Sequence, residues 1–206
     1  MSNKLIIAFE GIEGSGKTLH VKNVSNFLNK KKIPFIKLRE PGGSKNSEKI
    51  RKLILNNKSS FSKKTDLLLY LASRSENIEN IINKNYKKKI ILIDRFIDST
   101  IAYQHYGMKI DKKFINIANS FLLKNIDVDF TFLHTVSKKN LKLRLKKRKK
   151  LNRYDKFSLS FYNKVQNGFV KQSKINRKKY LLINSNKKIN DNKILIIKKL
   201  CKVLKI

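Results

Sequence analysis

A single cysteine, Cys201, two prolines and no tryptophan stand in a chain of 206 residues. One thiol excludes an intrachain disulfide framework and a multi-thiolate metal site, and it fits a reducing compartment. No apolar run approaches the ~20 residues of a membrane span. Met1 to Lys4, ahead of the first apolar run, are too few for the basic segment of a secretory leader. A soluble, cytoplasmic protein is therefore expected. Acidic residues are scarce as well, 14 against 49 basic ones, for a formal charge of +35. Such a balance invites a nucleic-acid reading, because basic patches neutralise phosphates and release counterions. The lysines are scattered beside asparagines and isoleucines rather than gathered in a stripe with aromatics, so the charge reads as a solvated surface and specific nucleic-acid binding is not expected.

Arginine is the scarce cation. Only eight of the 49 basic residues are arginine: Arg39, Arg51, Arg74, Arg95, Arg144, Arg148, Arg153 and Arg177. Where lysine serves so freely, a retained arginine suggests a place that needs a planar, bidentate fork, and phosphate recognition is one such role.

Glycine numbers only seven, and three of the seven fall between residues 11 and 16. Leu5 to Phe9 is a short apolar run that reads as a strand buried on both faces. It leads into Gly11-Ile12-Glu13-Gly14-Ser15-Gly16-Lys17-Thr18, which fits G-x-x-x-x-G-K-[ST] at every fixed position. Glycines there let consecutive backbone N–H groups curl around a phosphate, with the positive end of the next helix behind them. Lys17 would reach the β- and γ-phosphates and Thr18 would hold Mg²⁺.

Downstream, apolar periodicity predicts a helix to about residue 31, a strand over 35–38, a helix over 46–56 and a longer helix from a Thr65 cap to about residue 84. Further strands are predicted over 89–93, 128–133 and 180–183, with helices over 110–123, 140–150, 157–169 and 191–204. Strands alternating with helices in a chain of this length predict a single α/β domain, with a five-stranded parallel sheet flanked by helices in three layers. Every strand-end motif then falls on one edge. Arg39-Glu40-Pro41-Gly42-Gly43 ends the second strand in a sharp turn, and alone reads as a loop. Asp94-Arg95 ends the third, where a carboxylate is well placed for the Mg²⁺ of a P-loop enzyme. Tyr70 and Arg74 lie one helical turn apart and read equally as a base-stacking pair or as core and surface. The basic run around Arg144, Arg148 and Arg153 reads as a solvated face or as a mobile lid over about 144–156.

Taken jointly, FEGIEGSGKT, REPGG, LLLYLASR, IDRFIDSTIAYQ and the R-x-x-x-R-x-x-x-x-R segment resemble the bacterial thymidylate kinases, over nearly the whole chain. The resemblance implies a P-loop NTPase fold, transfer of the ATP γ-phosphoryl group to dTMP to give dTDP and ADP, and a homodimer. It assigns ATP to Gly11, Ile12, Glu13, Gly14, Ser15, Gly16, Lys17, Thr18 and Arg144, with Mg²⁺ at Thr18 and Asp94. It assigns dTMP to Glu13, Arg39, Tyr70, Arg74, Arg95, Ser99, Thr100, Tyr103 and Gln104, with Tyr70 stacking on thymine and Tyr103 crowding C2′. Lys17, Arg95, Arg148 and Arg153 would carry catalysis. With Glu13 rather than an arginine in the loop, Arg148 and Arg153 of the lid would supply the charge at the transferring group, Arg144 standing behind them. His134-Thr135 stands where relatives often have Leu-Asp, and Glu76-Asn77 where Gln and His are common; His134 itself reads as a structural residue. A deoxynucleoside kinase and a nucleic-acid-binding P-loop protein are the competing readings. The first would not need Arg39, Arg74 and Arg95 to converge on one place.

Overall fold

The computed structural model describes residues 5–148 and 151–206. Met1 to Lys4 and, from the basic run, Lys149 and Lys150 lie outside the described residues. Five strands, β1 (Ile6–Gly11), β2 (Phe35–Arg39), β3 (Ile90–Asp94), β4 (Phe130–Thr135) and β5 (Tyr180–Asn184), form one parallel sheet in the order β2-β3-β1-β4-β5. The chain enters at the centre with β1, goes out past β3 to β2, and later crosses from β3 to β4 on the far side. Gly11, Arg39, Asp94 and Thr135 therefore end neighbouring strands on the edge where this reversal of direction opens a crevice.

Strand alternation decides which residues meet which layer. Ile7 and Phe9 of β1 and Ile90 and Leu92 of β3 face α1 (Lys17–Lys30) and α9 (Ile189–Leu204), packing against Val24, Leu28, Ile196 and Leu200. Their neighbours Ile6, Ala8, Ile91 and Ile93 face the opposite layer. That layer is built from α2 (Lys45–Leu55), α3 (Lys63–Asn77), α5 (Ile97–Thr100), α6 (Lys112–Leu123), α7 (Lys138–Lys146) and α8 (Leu159–Ile175). A π-helical stretch, Ile78–Ile82, joins α3 to the short α4 (Asn83–Asn85), and another, Ile101–Gly107, extends α5.

Helix starts follow side-chain chemistry. Ser44, Ser62, Asp111, Ser137 and Ser158 each accept a hydrogen bond from a backbone N–H two or three residues on, an N-cap worth about 1 kcal/mol. Ser62, not Thr65, caps the long third helix, since Thr65 instead donates its N–H to the Ser62 hydroxyl at 3.2 Å. The helix expected over 140–150 begins at Lys138 and ends at Lys146. The fourth strand runs two residues further than its apolar run, so His134 lies inside β4 instead of beyond it. Among the described residues no helix is long and apolar enough to cross a membrane.

Asp98 ties the layers together, accepting from the Tyr180 hydroxyl at 2.9 Å while its backbone carbonyl accepts from Gln172 at 3.2 Å. Burial, with the Glu10 carboxyl behind it, pushes the Asp98 carboxyl up to about 7 from 3.8. The folded chain then holds this proton more tightly than the unfolded chain. The resulting stability is full below 3.8 and is lost as pH rises through about 7. Asp98→Asn, which keeps an acceptor for Tyr180, is expected to flatten that slope of up to about 1.4 kcal/mol per pH unit, read from urea unfolding across the interval.

Candidate active site

The loop after β1 wraps the start of α1. Gly11, at φ +137°, leaves no room for a Cβ, which would collide with the His134 carbonyl on the neighbouring strand. Lys17 is buried and bends back so that its Nζ donates to the carbonyls of Gly11 and Ile12, both at 2.9 Å. Burial, and then the Arg95 charge, lower its ammonium to about 8. The Thr18 hydroxyl donates to Asp94 Oδ2 at 2.7 Å, which sets two hard oxygen donors side by side at the crevice. They suit Mg²⁺, which takes one or two protein oxygens and keeps the rest of its shell for water and phosphate.

Arg95 sits at the meeting point of two connected cavities. Its φ of +68° is rare for a side chain with a Cβ and costs of order 1–3 kcal/mol. The guanidinium donates to Glu13 at 2.8 Å and to the Gly11 carbonyl at 2.7 Å, and lies 5.2 Å from the centre of the Tyr103 ring. Burial alone would raise the Glu13 carboxyl, but Arg95, Lys17 and the Tyr103 hydroxyl outweigh it and hold Glu13 below the usual carboxylate range. The larger cavity, about 350 Å³, runs along Gly14, Gly16, Lys17 and Thr18 past Asp94 and Arg95 to Arg39, Arg51 and Arg148. The smaller recess, about 30 Å³, is lined by Glu13, Tyr70, Arg74, Arg95, Ser99, Thr100, Tyr103, Gln104 and Tyr154, among others. Ser99, Thr100, Tyr103 and Gln104 share one helical face as α5 passes into its π-helical continuation. Gln104 is buried with no protein partner for its amide nitrogen.

Of the residues expected around dTMP, all but Arg39 line the recess; Arg39 lines the larger cavity, where it pairs with Glu48 at 2.9 Å. The three arginines do not meet at one point. Arg39 and Arg95 share the larger cavity, whereas Arg74 spends its donors inside the protein, on Glu40 at 2.9 Å, Thr100 at 2.9 Å and Asn119 at 2.6 Å. Arg51, one of the eight arginines but assigned to no ligand, completes the cationic wall instead and donates to the Pro41 carbonyl. The Pro41–Gly43 turn is held by Asn77, whose amide donates to the Gly42 carbonyl at 2.7 Å and accepts from Ser44 at 3.0 Å. A Cβ at Gly43 would strike Leu38 and the Asn77 amide.

The three lid arginines separate. Arg148 lines the larger cavity and pairs with Asp155. Arg144 is fastened to the carbonyls of Gly14 at 2.8 Å and Ser185 at 2.6 Å. Arg153 points elsewhere: it pairs with the buried Asp66, donates to the Ile54 carbonyl at 2.6 Å and packs on Phe61 and Tyr154. His134 is fully buried, its ring 5.4 Å from that of His20, and burial followed by the Lys17 charge lowers it to about 3. It is a neutral packing residue. Among the described residues no group of three or more His, Cys, Asp or Glu could hold a metal ion.

Glu40, Arg51 and Tyr154 line this site, though residue order assigned them no role in it. Glu10, beneath it, carried a signal, a carboxylate closing an otherwise apolar central strand.

Comparison with known proteins covers nearly the whole chain. The thymidylate kinase family model matches residues 9–196. A thymidylate kinase of Acholeplasma laidlawii is 37% identical over 189 residues, 90% of this chain and 93% of that protein. One of Thermosipho africanus is 38% identical over 188 residues, 91% and 92% of the two chains. A crystal structure of thymidylate kinase from Ehrlichia chaffeensis superposes with a TM-score of 0.77 at 32% identity, over 95% of this chain and 97% of that one. With sequence and fold in agreement over nearly its whole length, the chain belongs to the thymidylate kinase family.

Proposed function

We propose that the chain transfers the γ-phosphoryl group of ATP to the 5′-phosphate of dTMP, giving dTDP and ADP in the supply of dTTP. The observation that carries this reading is the position of Arg95, which lines both the P-loop cavity and the recess where Tyr70, Ser99, Thr100, Tyr103 and Gln104 gather. ATP phosphates lie along Gly11 to Thr18, and Lys17 swings from the loop carbonyls to the β- and γ-oxygens. Thr18 and Asp94 hold Mg²⁺, which supplies charge neutralisation between the phosphates when bound. Arg95, with Arg39 and Arg51 beside it, grips the acceptor phosphate in line with the donor. Thymine enters the recess against Tyr70, and the unpartnered Gln104 amide donates to a base carbonyl. Tyr103, its hydroxyl fixed on Glu13, crowds C2′ and disfavours ribose.

Arg148 is the lid arginine that lines the P-loop cavity, and we assign it the charge on the transferring group. Arg153 reaches that cavity only if its pairing with Asp66 opens. Arg148→Ala is expected to lower turnover by ~10³, with ATP affinity within about two-fold of the parent; unchanged turnover removes the assignment.

Association into a homodimer, in the cytoplasm, completes the reading. Leu68 of α3 and Phe114, Ile117 and Phe121 of α6 are exposed apolar side chains on adjacent helices, a surface that self-association would cover. Light scattering should then give twice the 24.1 kDa chain mass.

A coupled ADP-release assay with MgATP and dTMP, dUMP, dCMP, UMP or thymidine tests the whole. Turnover of dTMP well above the others is expected. Turnover of thymidine alone would overturn the acceptor-phosphate assignment.

A further inference from the structure

Glu10 is the last side chain before the nucleotide loop, and it is wholly buried. Its Oε1 accepts from the backbone N–H of Phe96 at 2.7 Å and of Ser99 at 3.2 Å, and its Oε2 accepts from the Ser99 hydroxyl at 2.6 Å. Phe96 is the residue before α5 and Ser99 lies in its first turn, where N–H groups have no partner within the helix. Phe96 has no side chain able to cap, so a carboxylate from the central strand does the work that an adjacent serine does for α2 or α8.

Arg95 immediately precedes this cap. Its left-handed backbone persists only where its surroundings enforce it, and two restraints do so: its own N–H donates to the Phe9 carbonyl at 3.0 Å, and Glu10 holds the next residue. Ser99 closes the circuit, since its hydroxyl oxygen also accepts from the Arg95 guanidinium at 3.3 Å. We propose that Glu10 is a positioning residue for phosphoryl transfer: by capping α5 from β1 it fixes the Asp94–Phe96 turn and so aims Arg95 at the acceptor phosphate. This rests on the reading of Arg95 given above.

A double-mutant cycle separates positioning from general support. Glu10→Ala is expected to raise KM for dTMP about ten-fold or more while the ATP Kd, by calorimetry, stays within about two-fold. Glu10→Gln, whose amide oxygen still accepts from both N–H groups, should recover most of that loss. In an Arg95→Ala background, either Glu10 substitution should add less than about two-fold. If Glu10→Ala does not fold, the cycle runs with Glu10→Gln, and its smaller loss must likewise vanish when Arg95 is absent. Losses that add fully to that of Arg95→Ala, or a lowered Tm with dTMP and ATP constants moved equally, would overturn the positioning role alone. Unchanged dTMP constants in Arg95→Ala itself would overturn the reading of Arg95, and this inference with it.

Discussion

Arg95 donates to Glu13 at 2.8 Å on the wall of the crevice, where both side chains are largely but not wholly covered, and the charges beside them are arranged around this ion pair. A guanidinium withdrawn from most of its water needs a carboxylate in contact, and such a carboxylate needs cations and donors around it. Glu13 meets that need from the nucleotide loop and Glu10 from the strand below, while Lys17 and Tyr103 complete the ring. Loop, strand and recess are thereby committed to one geometry. Removing either partner would leave the other as an uncompensated, partly desolvated charge, which is more damaging than losing an exposed pair such as Arg39–Glu48.

A second pair, Arg74 with Glu40, is buried and performs a different task. It joins the end of β2 to α3 and, through Thr100 and Asn119, to α5 and α6. Burial raises the Glu40 carboxyl even against the Arg74 charge, so the pair is a structural tie whose donors are already used. Four elements at and behind the recess are fixed relative to one another by one side chain. Meanwhile the stability that supports these polar commitments comes from the apolar contacts on the two faces of the sheet, away from the crevice.

Much of this was legible from residue order. Continuous apolar runs bounded by turn residues located all five strands, and glycine spacing located the phosphate loop, because both are local properties of the chain. Tyr70 and Arg74 were placed on one face by period alone. Partner choice across the fold was not legible. Nothing near Arg153 announces Asp66, which is 87 residues away, and nothing in Ser99 announces Glu10. The lid was read as one cationic unit, yet its three arginines answer to three separate acceptors. Helix boundaries shifted where a cap lay a few residues from the expected one, as at Ser62.

The π-helical stretch Ile101–Gly107 was also invisible to periodicity. Its wider turn is seen where Met108 donates its N–H to the carbonyl of Tyr103, five residues back, at 2.9 Å. Such a turn holds one residue more than the α-helix it interrupts. Tyr103 and Gln104 line the recess from within this stretch, and the chain then runs on into α6. Deletion of the extra residue would rotate everything downstream by about 100° about the helix axis. Within a lineage, then, the identity of the nucleoside accepted here is guarded less by any one side chain than by chain length: a three-base deletion in the coding sequence would alter the pocket more than most substitutions in it.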